Sequence, residues 1–174
     1  MGISLYDVTV LGFIQTVTAM EGVLQRGLTH CKEHGVDTDE IVKARLHPDM
    51  LPFRFQAVSV VNHSVGAIES AKAGLFARPQ TPHLDYGGLQ SLVAEASAKL
   101  KTYTREEVNA LQGRDLVFQP TEHKLLFTVE DFLLSFSVPN FYFHATTAYD
   151  ILRSNGVPLG KRDYLGRLRP KGQA

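Results

Sequence analysis

The segment Tyr86-Gly87-Gly88-Leu89-Gln90-Ser91-Leu92-Val93-Ala94-Glu95-Ala96-Ser97-Ala98-Lys99-Leu100-Lys101-Thr102-Tyr103 decides the architecture. Its apolar residues Tyr86, Leu89, Val93, Ala96, Leu100 and Tyr103 recur at steps of three and four, which lays them along one seam of a helix. A seam of that length needs further helices to cover it.

Upstream, two segments supply them. From about Ser4 to Glu33, Val10, Phe13, Ile14, Val17, Met20, Leu24, Leu28 and Cys31 form one helical face, stopped by Gly35. From Asp49 to about Leu75, the wide face of Leu51, Phe55, Val58, Val61, Val65 and Ile68 predicts a second long helix, with Pro52 in its first turn. Between them Asp37-Thr38-Asp39-Glu40 starts a short helix towards Leu46, and His47-Pro48-Asp49 breaks the chain. Ala77 to His83, with two prolines and no periodicity, reads as a connecting loop.

Downstream, Thr104 and Glu107 have the form of a capping box for a short helix that ends at Gly113. Leu116-Val117-Phe118 and Lys124-Leu125-Leu126-Phe127 flank a turn, as in a small hairpin. Thr128 and Asp131 then cap a fourth long helix running to Arg153, closed by Asn155-Gly156. Pro139 inside it frees a carbonyl and makes Ser135 to His144 irregular. The fold expected is all-α: one domain over residues 1–174, an antiparallel four-helix bundle with a small β-hairpin before the last long helix.

Composition narrows the function. The 174 residues carry 18 Lys plus Arg against 18 Asp plus Glu, so the basic field that attracts nucleic acid or anionic lipid is missing. One cysteine, Cys31, forbids an intramolecular disulfide and a Cys-based zinc cage, which points to a reducing, cytoplasmic setting. The N-terminus lacks a signal-peptide pattern, Tyr6 stands where myristoylation needs Ser or Thr, and no apolar run approaches a membrane span. No Gly-rich phosphate loop, Gly-x-Ser-x-Gly elbow or His-Glu-x-x-His is present.

The chemistry left lies on the bundle faces. At about 100° per residue, Phe132, Phe136, Phe143 and Ile151 mark the buried stripe of the fourth helix, and Asn140, His144 and Thr147 fall inside it. Asn140 and His144, at i and i+4, have Cβ atoms about 5–6 Å apart and can share one ligand, water or metal ion. Equally, His144 can donate to a carbonyl freed by Pro139 while Asn140 satisfies another backbone group. On the second helix Asn62 falls on the inward face and His63 well away from its centre. Glu21 lies on the apolar stripe of the first helix, where a carboxylate is costly unless paired, and its reaching His144 would create an acid–base pair. His30 and His34 suit the C-terminal dipole of the first helix, and His47 lies near the end of the bundle.

Three stretches resemble one family. Ala44-Arg45-Leu46-His47-Pro48-Asp49-Met50, then Pro139 through Arg153, then Asn155-Gly156-Val157-Pro158-Leu159-Gly160-Lys161 resemble domain-of-unknown-function family 1993. The resemblance spans Ser4-Leu5-Tyr6-Asp7 to Asp163-Tyr164-Leu165-Gly166. That family is similar to the DinB/YfiT-like four-helix bundles, many of which bind a divalent metal through three histidines and include thiol-dependent transferases and isomerases. The resemblance implies that a His-x-x-x-His pair on the last bundle helix maps onto Asn140 and His144, with the remaining ligand at or beside Asn62-His63. Only one imidazole is then left on that helix, and an Asn62, Asn140, His144 set is a poor Zn²⁺ site.

The expectation is a small-molecule protein, a metal-assisted transferase or isomerase, using Zn²⁺ or Ni²⁺ held by His144 with His63. His144 is its acid–base group, Asn140 and Asn62 its orienting groups, and Glu21 tunes His144. Thr147, Phe143 and His47 are further candidates for contact with substrate. Two other readings stand beside it: a non-catalytic module that forms a homodimer, and a metal-independent isomerase or cyclase acting on an apolar metabolite.

Overall fold

The structure is a computed structural model and describes residues 2–77 and 82–171. Helix α1 (Leu5–Val8) opens on a capping box between Ser4 and Asp7, and α2 (Val10–His34) follows after Thr9, whose hydroxyl donates to the Leu5 carbonyl. Gly35, at φ +66°, ends α2 in the left-handed conformation that glycine adopts without steric cost. Helix α3 (Thr38–Lys43) is capped by Asp37.

The second long helix is interrupted. Helix α4 (Phe53–Asn62) stops at His63, and α5 (Val65–Ala73) restarts after Ser64. The buried Ser64 hydroxyl donates to the Val60 carbonyl at 2.7 Å, offering the backbone an alternative partner where the helix breaks. After Gly74, Leu75–Ala77 forms strand β1, so Leu75 belongs to a strand and not to a helix end. Part of the loop expected over Ala77 to His83 lies outside the described residues.

Helix α6 (Tyr86–Leu100) carries five of the six predicted seam residues and Tyr103 follows the helix end; all six are buried. Helix α7 (Arg105–Asn109) begins with the predicted Thr104–Glu107 capping box. Strands β2 (Asp115–Gln119) and β3 (Leu125–Thr128) form the expected hairpin, with Leu116 opposite Phe127. β1 joins it in parallel, with Leu75 opposite Val117, so the hairpin is part of a three-stranded mixed sheet of order β1-β2-β3. The chain is therefore mostly helical and not all-α.

Helix α8 (Val129–Asp131) passes into a π-helical turn, Phe132–Ser137, and then into α9 (Val138–Ser154). Pro139 lies in the first turn of α9. The wider turn before it closes through Val138 N–H to the Leu133 carbonyl, and Asn140 Nδ2 donates to the Phe136 carbonyl at 2.8 Å. The irregularity that Pro139 demands is thus a π turn, a local form common at functional sites. Helix α10 (Lys161–Leu165) packs on α2.

Helix α2 packs on α6 and α9, and α4 packs on the same two, so the four enclose the core. Phe13, Phe53, Phe132 and Phe141 are fully buried there. The span Leu5–His34 is long and apolar enough to cross a membrane by length and composition, contrary to the expectation that no such stretch exists. Its apolar face, including Val10, Phe13, Val17 and Leu24, is buried against the other helices.

Candidate functional site

A cavity of about 390 Å³ opens where α4, α9, the π turn and the sheet meet. Helix α4 and its end contribute Phe55, Ser59, Asn62 and His63; α9 contributes Asn140 and His144. Phe136 comes from the π turn, Phe76 from β1, and Phe118, Pro120 and Thr121 from the hairpin. The cavity is within the size range of small-molecule sites.

The helix break changes the place of His63. An unbroken helix turns it away from the core, whereas here it lies at the end of α4, half-buried, and lines the cavity beside Asn62. Its ring stacks on His144, with centroids 5.7 Å apart and planes 14° apart, and on Phe76 at 5.9 Å. Phe136 meets it edge-on at 5.4 Å, and its Nδ1 lies 3.4 Å from the Ser137 hydroxyl.

Gln56 was not among the candidates from sequence, and it holds His144. Its Oε1 lies 2.7 Å from His144 Nδ1, and its Nε2 donates to the Leu51 carbonyl at 2.8 Å. The side chain sits on the buried face of α4 among Phe53, Ala57 and Val60, and an amide in an apolar stripe is the signal by which it was findable. Burial pushes the His144 imidazole down to about 4. Burial and then the nearby His144 push His63 down to about 4 as well. Both rings are therefore neutral at pH 7.

Other candidates fall outside the cavity. Glu21 is half-buried on α2, makes no hydrogen bond or ion pair with His144 among the described residues, and does not line the cavity. Thr147 is buried, but its hydroxyl donates to the Phe143 carbonyl at 2.8 Å. Phe143 is 57% exposed and meets the His144 ring edge-on, while Phe141 is buried against Phe13. His47 is exposed and pairs with Asp49.

A three-imidazole metal centre does not fit. The cavity supplies two imidazoles, and Asn140 stands where the resemblance puts a third, offering a weakly binding amide oxygen. Among the described residues no three of His, Cys, Asp and Glu stand together as a ligand group.

No curated protein matches the chain. Among solved structures, the chain is similar to the crystal structure of a DinB family member protein from Shewanella denitrificans, at 25% identity and a TM-score of 0.80, over 97% of this chain and 96% of that one. The model of the domain of unknown function DUF1993 matches residues 5–165. Through that match over nearly its whole length, and with a DinB-like fold, the chain belongs to the DUF1993 family.

Proposed function

We propose that the chain is a small-molecule-binding protein on a DinB-type antiparallel four-helix bundle of α2, α4, α6 and α9, with its ligand between His63, His144 and the sheet. The observation that carries this reading is the cavity itself: four Phe side chains form its walls and a few polar groups converge within it. Ser59, Asn62 and Asn140 are placed to orient a bound molecule, and His144 to accept a hydrogen bond from it.

Binding is favoured over proton abstraction. A fall from 6.5 to about 4 makes the His144 imidazole roughly 300-fold less basic. A general base works best near the operating pH, so His144 serves better as a neutral acceptor. Metal-assisted transfer, as the resemblance implies, needs a third strong donor, and the amide of Asn140 is a poor substitute.

A fragment screen read on the imidazole resonances of His63 and His144 tests the proposal. Thr121 lies exposed at the cavity mouth, so Thr121→Trp blocks entry without disturbing the core. Fragments that move both histidines in the wild type and lose at least tenfold in affinity in Thr121→Trp are the expected result. Finding none, or finding that Thr121→Trp binds them equally well, overturns it.

A further inference from the structure

We propose that the cavity selects an uncharged, ring-sized ligand that donates an O–H or N–H to Nε2 of His144, and that Gln56 is the positioning residue that sets this preference. The inference rests on the cavity being the binding site and adds the chemical class of what it binds.

Gln56 fixes the tautomer of His144. The Leu51 carbonyl only accepts hydrogen bonds, so the Gln56 atom 2.8 Å from it is the amide nitrogen, and this fixes which way the amide points. The other end, Oε1, therefore faces His144 Nδ1 at 2.7 Å. A carbonyl oxygen cannot donate, so Nδ1 carries the ring proton and Nε2 presents a bare lone pair. Gln56 is 2% exposed and does not line the cavity, whereas His144 does, and its unpartnered Nε2 is not closed off from solvent. Nε2 has no hydrogen-bond partner among the described residues. It can be satisfied by a donor, and a ligand without one leaves it unpaired.

Charge restricts the ligand further. Among the described residues no Asp, Glu, Lys or Arg lines the cavity, and the two titratable groups that do, His63 and His144, are neutral at pH 7. A carboxylate or an ammonium entering it gives up its hydration without meeting a countercharge. Shape restricts it as well. Phe55, Phe76, Phe118 and Phe136 provide flat apolar walls, and His63 and His144 already stack at ring-to-ring spacing. A small aromatic or similarly flat body fits them, with its donor directed at His144.

Phenol, anisole, benzoate and benzylammonium, titrated at pH 7.5 into the full chain, separate these requirements. The readout is the long-range ¹H–¹⁵N correlation of the imidazoles. In the free protein His144 is expected to show a protonated Nδ1 and a bare Nε2; the opposite tautomer overturns the proposal. Phenol is expected to bind and to move the Nε2 resonance, with anisole at least tenfold weaker and the two ions weaker still. Anisole equal to phenol removes the donor requirement, and benzoate or benzylammonium equal to phenol removes the charge rule.

Gln56→Glu places a carboxylate at Nδ1, which raises the imidazole pKa from about 4, so that at pH 5.5 the ring is protonated and Nε2 a donor in the variant while the wild-type ring stays neutral. The preference for phenol over benzoate is then expected to narrow at least tenfold, and an unchanged ratio in a folded variant excludes Gln56 as the determinant. Should the variant not fold, the wild-type tautomer alone still decides the role of Gln56. If none of the four probes binds while other fragments do so in a manner lost in Thr121→Trp, the ligand class is wrong and the binding site stands. If no fragment of any kind binds, the site itself is wrong.

Discussion

His63 and His144 connect burial to pH. Both imidazoles titrate near 4 in the folded chain and near 6.5 when unfolded, so the unfolded state binds the more protons between those values. Stability is then unaffected by this pair above pH 6.5, falls as pH drops from 6.5 towards 4, and levels off below. The loss is on the order of 2–4 kcal/mol for the two together, after allowing for their partial access to solvent. Urea titrations at pH 7 and pH 4.5 measure it, and His63→Leu and His144→Leu should each flatten the profile. Asp7 acts in a lower window. The Ser4 backbone N–H, then Arg105, hold its carboxyl at about 2, so its contribution is lost only as pH falls below its ordinary 3.8.

Among elements, the contact of α2 with α6 is the most exacting. Gly27 lies where an added Cβ would stand 2.2 Å from Tyr86 Oη, and that hydroxyl donates to the Leu24 carbonyl at 2.8 Å. The clash cannot be relieved by a flexible side chain, because the Tyr86 ring is only 2% exposed. Gly27→Ala is expected to cost about 2–4 kcal/mol through overpacking and the lost hydrogen bond. Tyr86→Phe alone should cost about 1 kcal/mol. The double variant should be more stable than the sum of the two, since removing the hydroxyl makes room for the methyl, and a double-mutant cycle by denaturant unfolding checks this.

At the scale of the whole molecule, the sheet and the helices are joined by aromatic rings. Phe76 on β1 meets Phe118 at 5.8 Å, Phe132 at 5.1 Å, Phe136 at 5.9 Å and His63 at 5.9 Å. It is thus part of the core and one wall of the cavity. Phe76→Ala should cost about 3–5 kcal/mol and loosen the ring of His63. Thermal unfolding reads the first, and the imidazole resonances of His63 the second.

The helices were legible because each carries its own instructions. The seam of Tyr86 to Tyr103, the stop at Gly35 and the Thr104–Glu107 box depend on residues within a few positions of one another. Asn140 and His144 were also legible as neighbours, since four residues along a helix always meet on one face. Gln56 was missed because its value comes from His144, 88 residues away. The place of His63 was misread because one buried serine, Ser64, ends α4 early and no periodicity records that break. Phe143 was expected on the buried stripe and is 57% exposed, since a uniform 100° wheel does not record the π turn ahead of Pro139.

What the sequence by itself determined was local: helix content, caps, the hairpin, the Pro139 irregularity, and a neutral chain without the motifs of the common enzyme classes. What only the tertiary structure decided was the cavity, the pairing of β1 with β2, the meeting of His63 with His144, and the hydrogen bond that fixes the proton on Nδ1. Short-range propensity and periodicity act through neighbours in the chain, whereas a cavity and a tautomer are set by groups that only packing brings together.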